Sequence, residues 1–356
     1  MLSDSSLAFL KRLLDTPGPS GFEAAAATVW RDEARSFAHE VSGDVAGNSV
    51  AVVNPDGSPT ILLAGHIDEI GLIVTYIDDD GFVYVQGIGG WDSQVLVGQR
   101  VRFAGRGGDV FGVIGKKPIH LIKNEDRERA SKIADLWVDI GATSRADAEG
   151  RLSVGDAGVI DARSMEFPGN RLVSRSIDDR VGAFVALEAL RRYARKPGKA
   201  KVVAAATTQE EIAWHGGGAL ICASCIDARM AIVIDVTFAT DHPNMEKKEV
   251  GERSLGSGPA LARGAILSPV VFRLLRESAE EKRIPHTVQA AARDTGTDAD
   301  SIHIARQGVA TGLVSIPNRY MHSPNEMVSL DDIDHAAELI AVCCRAVADG
   351  TDFTAR

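Results

Sequence analysis

Thr60-Ile-Leu-Leu-Ala-Gly-His-Ile-Asp68 is an apolar run that ends in a histidine and, two residues on, an aspartate. Three further stretches share this form. Val202–Thr208 (VVAAATT) leads to Glu210-Glu211, Ala231–Ile234 (AIVI) leads to Asp235, and Thr311–Ile316 (TGLVSI) lies ahead of His322. Continuous apolar runs rich in Val and Ile, bounded by turn residues, read as buried strands of a parallel sheet. Ligands of such sheets gather in the crevice at the carboxyl ends of the strands. The pattern therefore predicts that histidines and carboxylates far apart in sequence meet on one rim. That donor set suits a divalent metal and points to metal-assisted hydrolysis.

Outward from these runs the texture divides the chain. At 356 residues it exceeds the usual size of a single hydrophobic core, so two domains are expected. Residues 72–163 are rich in Gly, Val and alternating polar–apolar pairs, with turn signals every few residues and one short helical candidate, Asp126–Leu136. This reads as a small β-barrel-like domain inserted after the first metal-bearing strand. Residues 1–71 and 164–356 carry the α/β rhythm of a mixed, mostly parallel sheet flanked by helices. Asp178–Arg195 is amphipathic, with Val181, Phe184, Leu187 and Leu190 on one face. Ser20 and Glu23 have capping-box spacing and predict a helix over 21–37. Ser268-Pro269 and Ser329 read as the starts of two later helices.

A net charge of −10 argues against nucleic acid as the main partner, because phosphate neutralisation needs clustered Lys and Arg. No apolar run approaches the roughly 20 residues that span a bilayer, so no membrane role is expected. The first residues, MLSDSSLAFLKRLLDTP, read as an amphipathic helix and not as a signal peptide. Cys222, Cys225, Cys343 and Cys344 are too few and too clustered for a disulfide framework, and suit a reducing cytoplasm. Cys222-Ala-Ser-Cys225 has CxxC spacing but no second pair at zinc-ribbon distance, so buried, inert thiols are the expectation.

In His66-Ile-Asp68, strand alternation lets Asp68 bond the His66 nitrogen that faces away from a metal. Asp178-Asp179 sits at a predicted helix start, where capping alone accounts for one aspartate. The adjacent Glu210 and Glu211 are costly together unless a cation or a shared proton compensates them. Asp235 closes an almost wholly apolar strand, and a buried charge needs a partner. His322 lies in a loop and draws its weight from the others.

In order along the chain stand PGPSGFE (Pro17–Glu23), GHIDEIGLIV (Gly65–Val74), LWVDIGA (Leu136–Ala142), SIDDRVG (Ser176–Gly182), TTQEE (Thr207–Glu211), VIDVTFATDHP (Val233–Pro243), GTDA (Gly296–Ala299) and IPNRYMHS (Ile316–Ser323). This ordered set resembles the glutamyl-aminopeptidase family of co-catalytic metallopeptidases, which includes the tetrahedral (TET) and deblocking aminopeptidases. The resemblance implies a zinc-exopeptidase-like fold whose inserted β domain serves dimerisation. It implies two divalent metal ions, with zinc or cobalt suited to the donors and manganese a further candidate. Asp178 would bridge them, His66 and Asp235 would complete one set, and Glu211 and His322 the other. Glu210 would be the general base for a hydroxide held between the metals, and Asp68 would orient His66. The implied substrates are peptides with a free N-terminus, and the implied assembly is a homodimer that builds a dodecamer.

Trp214 and His215 depart from the family pattern beside the catalytic pair and put side-chain preference in question. His215 reads as a packed loop histidine before a third-metal or substrate ligand. Competing readings are a deacylase or carboxypeptidase of the same clan, and a non-catalytic metal-binding scaffold. Retention of Glu210 argues against the scaffold.

Overall fold

The computed structural model describes residues 1–212 and 216–354. Helices α1 (Asp4–Asp15) and α2 (Ala24–Ala34) lead into strands β1 (Glu40–Gly43), β2 (Ser49–Val53) and β3 (Thr60–His66). Ser3 caps α1, and Phe9, Leu10, Leu13 and Leu14 form its buried stripe. Helix α2 is shorter than the capping-box reading predicts, and Glu23 at its start makes no side-chain cap. Ser20 and Glu23 are instead engaged elsewhere: Ser20 Oγ donates to Asp68 at 2.6 Å, and Glu23 accepts from Gly21 and Gln209 main-chain N–H groups.

Next come β4 (Gly71–Ile77), β5 (Val83–Ile88), β6 (Arg100–Gly105), β7 (Gly108–Gly115), β8 (Trp137–Asp139), the short helix α3 (Arg145–Glu149) and β9 (Ala157–Ile160). Among the described residues these six strands close into an antiparallel barrel of order β4-β5-β8-β7-β6-β9. Val83 and Val85 on β5, and Val101 and Phe103 on β6, fill its interior, as the period of two requires. Asp126–Leu136 does not form the predicted helix; it holds single 3-10 turns at Asn124–Asp126 and Ile133–Asp135. Its charged, mostly exposed sequence offers no apolar stripe to bury, and burial is what stabilises a short helix.

The remainder runs β10 (Met165–Phe167), β11 (Arg171–Ser174), α4 (Ile177–Arg195), β12 (Lys201–Thr207), α5 (Gly217–Cys225), β13 (Met230–Phe238) and α6 (Lys247–Val250). It continues through β14 (Ala260–Gly264), α7 (Pro269–Lys282), β15 (Thr287–Ala291), α8 (Ala299–Ile302), β16 (Ala310–Asn318), β17 (Glu326–Ser329) and α9 (Leu330–Ala346). Ser268 and Ser329 cap α7 and α9 as read from the sequence.

Among the described residues eight strands form one mixed sheet, β1-β2-β12-β3-β13-β16-β14-β15. Its centre, β12-β3-β13-β16, is parallel throughout and consists of the four apolar runs singled out above. Ile61 and Leu63 of β3 face the layer of α1, α4, α7 and α9, whereas Leu62 and Ala64 face α5 and α8. Each large apolar side chain so buried contributes roughly 1.5–3 kcal/mol. Among the described residues no helix is long and apolar enough to cross a membrane.

Two details of this packing aim the rim. Helix α4 crosses β3 at Gly65 and Gly182, so closely that a Cβ on Gly65 would collide with the Gly182 main chain. The crossing sets the start of α4, with Asp178 and Asp179, beside His66 at the end of β3. Asp235 does not close its strand as expected, since β13 continues to Phe238. Pairing of β13 with β3 stops at Val233–Ala64, however, and pairing with β16 alone carries β13 onward. Asp235 is thereby freed on the side where β3 has turned away.

Candidate metal centre

Asp178 lies at the middle of the rim. Its Oδ1 is 3.3 Å from His66 Nε2, and its Oδ2 is 3.4 Å from His322 Nε2. Glu211 Oε1 stands 3.3 Å from His322 Nε2, and Glu210 Oε2 lies 3.7 Å from His66 Nε2. His66, Asp178 and Glu211 offer ligand atoms within 4.8 Å of one another, as do His66, Asp179 and Asp235. The structure thus brings together all seven residues read from the sequence: His66, Asp68, Asp178, Glu210, Glu211, Asp235 and His322.

Asp68 is fully buried and held by three donors: Ser20 Oγ at 2.6 Å, and the main-chain N–H groups of Glu210 and Glu211, each at 3.1 Å. Burial raises its pKa, but bonding to His66, Ser20 and the backbone outweighs that and leaves it lowered. Its Oδ1 lies 3.4 Å from His66 Nδ1, long for a hydrogen bond. Asp68 therefore holds the glutamate turn and faces the histidine.

The electrostatics ask for positive charge. Burial pushes Glu210 up to about 9, with Asp235, Asp298 and Asp178 adding to the effect. Burial likewise drives Asp179 and Asp235 well above the carboxylate range. Burial alone would lower His322, but its contacts with Asp178 and Glu211 push it up to about 11. Among the described residues Asp179 Oδ2 and Glu211 Oε1 are buried without a hydrogen-bond partner. Orphaned buried acceptors packed around two imidazoles fit a divalent cation far better than they fit one another. The imidazole–carboxylate donor set suits a divalent metal ion.

Other residues that the sequence reading missed brace this set. Glu326 is buried, and its two oxygens accept the main-chain N–H groups of Asp178 at 3.0 Å and His322 at 2.9 Å. It splints two of the candidate ligands, and nothing local to the sequence marks it. Glu69 holds a buried double salt bridge to Arg175 and to Arg180, the latter at 2.9 Å. Arg180 also donates to Ile67 O at 3.0 Å and Leu13 O at 2.9 Å, clamping the turn that carries Asp68. Asp179 accepts from Gly182 N at 3.1 Å while its other oxygen faces the His66–Asp235 cluster.

Beside these carboxylates a cavity of ≈ 340 Å³ opens, with Thr237, Gln289, Thr297, Leu313 and Met321 on its far wall. Trp214 and His215 lie outside the described residues. Of the cysteines, Cys222, Cys343 and Cys344 are buried, and burial pushes Cys222 up to about 12. Cys225 departs from the expectation of buried thiols: one turn along α5 from Cys222, it is exposed and free.

The model of the M42 glutamyl aminopeptidases matches residues 47–339. A lysyl aminopeptidase of Pyrococcus furiosus is 35% identical over 93% of this chain and 94% of its own length. A TET aminopeptidase structure from a marine-sediment Thaumarchaeota archaeon superposes with a TM-score of 0.92 at 32% identity, covering 97% of each chain. The TET1 peptidase of Pyrococcus horikoshii, which can assemble into a tetrahedron or a large octahedral shell, gives 0.84 at 29% identity over 96% of this chain and 100% of its own. With this match the chain belongs to the M42 glutamyl aminopeptidase family, a family of peptide-bond hydrolases.

Proposed function

We propose that this protein is a dinuclear metal-dependent aminopeptidase that removes residues from peptides with a free N-terminus. The observation that carries the reading is Asp178, whose two carboxylate oxygens each face a different histidine. His66, Asp235 and one oxygen of Asp178 would hold one divalent cation, with Asp179 behind them. Glu211, His322 and the other oxygen of Asp178 would hold the second. Two divalent cations there would supply Lewis acidity to the scissile carbonyl and to the attacking water.

Glu210 then has the general-base role. It accepts the proton of the attacking water and returns it to the departing amine as the peptide C–N bond breaks. Asp68 holds the Glu210–Glu211 turn and faces the far nitrogen of His66, so it is a positioning residue. The cavity wall around Thr237, Gln289 and Leu313 would receive the N-terminal side chain, and the rim carboxylates would receive its ammonium group.

The barrel over 72–163 is proposed as the dimerisation element and 1–71 with 164–356 as the catalytic part. Assembly into a dodecamer is supported by the TET relatives, and a cytoplasmic location by the free cysteines.

The reading is tested with two peptides alike except for an acetyl group on one N-terminus. The free peptide is expected to be trimmed, the acetylated one to stay intact. Chelation is expected to abolish trimming, and zinc or cobalt to restore it. Release of acetate from the acetylated peptide, or of the C-terminal residue, would favour the deacylase or carboxypeptidase alternatives. Metal binding without hydrolysis would favour a scaffold.

A further inference from the structure

We propose that the barrel takes part in the chemistry of its own subunit, through the turn Gly89-Gly90-Trp91, by fixing the ring of His322. This inference rests on the metal reading of His322 given above and adds a positioning element that lies outside the catalytic sheet.

The turn follows β5 and leads away from the barrel wall onto the rim. The Gly90 carbonyl oxygen lies 2.8 Å from His322 Nδ1. A carbonyl can only accept, so Nδ1 must carry the hydrogen and donate it. A neutral ring with its proton on Nδ1 has its lone pair on Nε2. That is the atom set 3.4 Å from Asp178 Oδ2 and 3.3 Å from Glu211 Oε1. The bond thus selects the tautomer a metal ligand needs and sets the ring plane at the same time.

Three further features support a built contact. Gly89 has φ +75°, which favours glycine, and a Cβ there would collide with Ile70 and reach Glu211 at 3.4 Å. Gly90 has no positive φ, yet a Cβ there would stand 3.3 Å from His322 Nδ1 and 3.5 Å from Cε1. A side chain at Gly90 would oblige the imidazole to shift by a few tenths of an ångström. Trp91 then anchors the turn, donating its indole N–H to Gly71 O at 2.7 Å where β4 starts. His322 itself has φ +58° and is held from behind by Glu326. Its ring is therefore gripped between the catalytic sheet's own loop and the barrel.

One consequence is that a displacement of the barrel moves a metal ligand. Any event that shifts the barrel against the sheet changes the affinity of the His322 side of the centre while leaving the His66 side in place.

The experiment compares the full-length protein with Gly90→Ala, Trp91→Phe and, as a control on the same barrel, Gly107→Ala. A Cβ at Gly107 meets nothing within 4 Å. Metal-free protein is titrated with zinc, and the visible spectrum of the cobalt form is recorded beside kcat and KM. For Gly90→Ala we expect one of two zinc affinities to weaken by roughly ten- to a hundredfold, as disturbing a partner of a metal-bound histidine does. The other affinity is expected to stay as in the unaltered protein, and the cobalt spectrum to change for one ion only. Trp91→Phe is expected to shift the same affinity by less, and Gly107→Ala to shift neither. Two unaltered affinities and an unaltered cobalt spectrum in Gly90→Ala would overturn the proposal while leaving the aminopeptidase reading intact. Equal weakening of both ions would also overturn it, since a general loss of structure explains that result. An unaltered protein that binds no zinc overturns the aminopeptidase reading, and this inference with it.

Discussion

Glu210→Gln is expected to lower kcat by about a thousandfold, within the range that a general base contributes, while leaving metal content nearly unchanged. Glutamine keeps the size of the side chain and removes its capacity to accept and return a proton. The turn that holds residue 210 is tied through its main-chain N–H to Asp68 at 3.1 Å, so the substitution leaves that bond in place. Glu210 also approaches His66 only to 3.7 Å, farther than Asp178 does. Steady-state kinetics together with metal analysis of the same preparation checks the prediction. Full activity in this variant would remove Glu210 from the mechanism.

Asp178→Asn is expected to do more damage, because it touches both halves of the centre at once. Each carboxylate oxygen of Asp178 serves a different histidine, and asparagine leaves one oxygen and one N–H donor in their place. Bound zinc is expected to fall from about two ions per chain to about one or fewer, as one charged donor is lost to both. Cations contribute several kcal/mol of charge stabilisation in such reactions, and about 5.5 kcal/mol corresponds to a ten-thousandfold fall in rate. The protein is expected to remain folded, because removing one of several crowded, buried carboxylates relieves repulsion among Asp178, Asp179 and Asp235. Metal analysis and circular dichroism on one sample separate the loss of metal from a loss of fold.

The contrast between these variants follows from where each residue sits on the sheet, and much of that was legible beforehand. Strands β3, β12, β13 and β16 were readable because a strand covered on both faces is an uninterrupted apolar run. Their carboxyl ends were readable as a rim for the same reason, so His66, Glu210, Glu211, Asp235 and His322 could be placed together from the pattern alone. The barrel was readable from alternation and closely spaced turns.

What escaped the sequence was the set of contacts made at long range through the main chain. Glu326 grips Asp178 and His322 by their N–H groups, which any residue could offer. Ser20 and Glu23 have the spacing of a helix cap, but Asp68 and the Gln209 main chain claim their side chains instead. Capping accounts for one aspartate of Asp178-Asp179, and only the structure shows Asp179 beside His66 and Asp235. Asp126–Leu136 misled in the opposite direction: its residues favour a helix, but the segment is charged and mostly exposed. The Gly89-Gly90 turn reads as an ordinary connection between strands, and only its place against His322 gives the glycines a purpose.

The most direct test of the centre is an X-ray experiment on zinc-soaked crystals, with anomalous scattering measured on either side of the zinc edge. Two peaks are predicted on opposite sides of the Asp178 carboxylate, one beside His66 and Asp235 and the other beside Glu211 and His322. A single peak, or zinc lodged away from Asp178, would contradict the two-cation account.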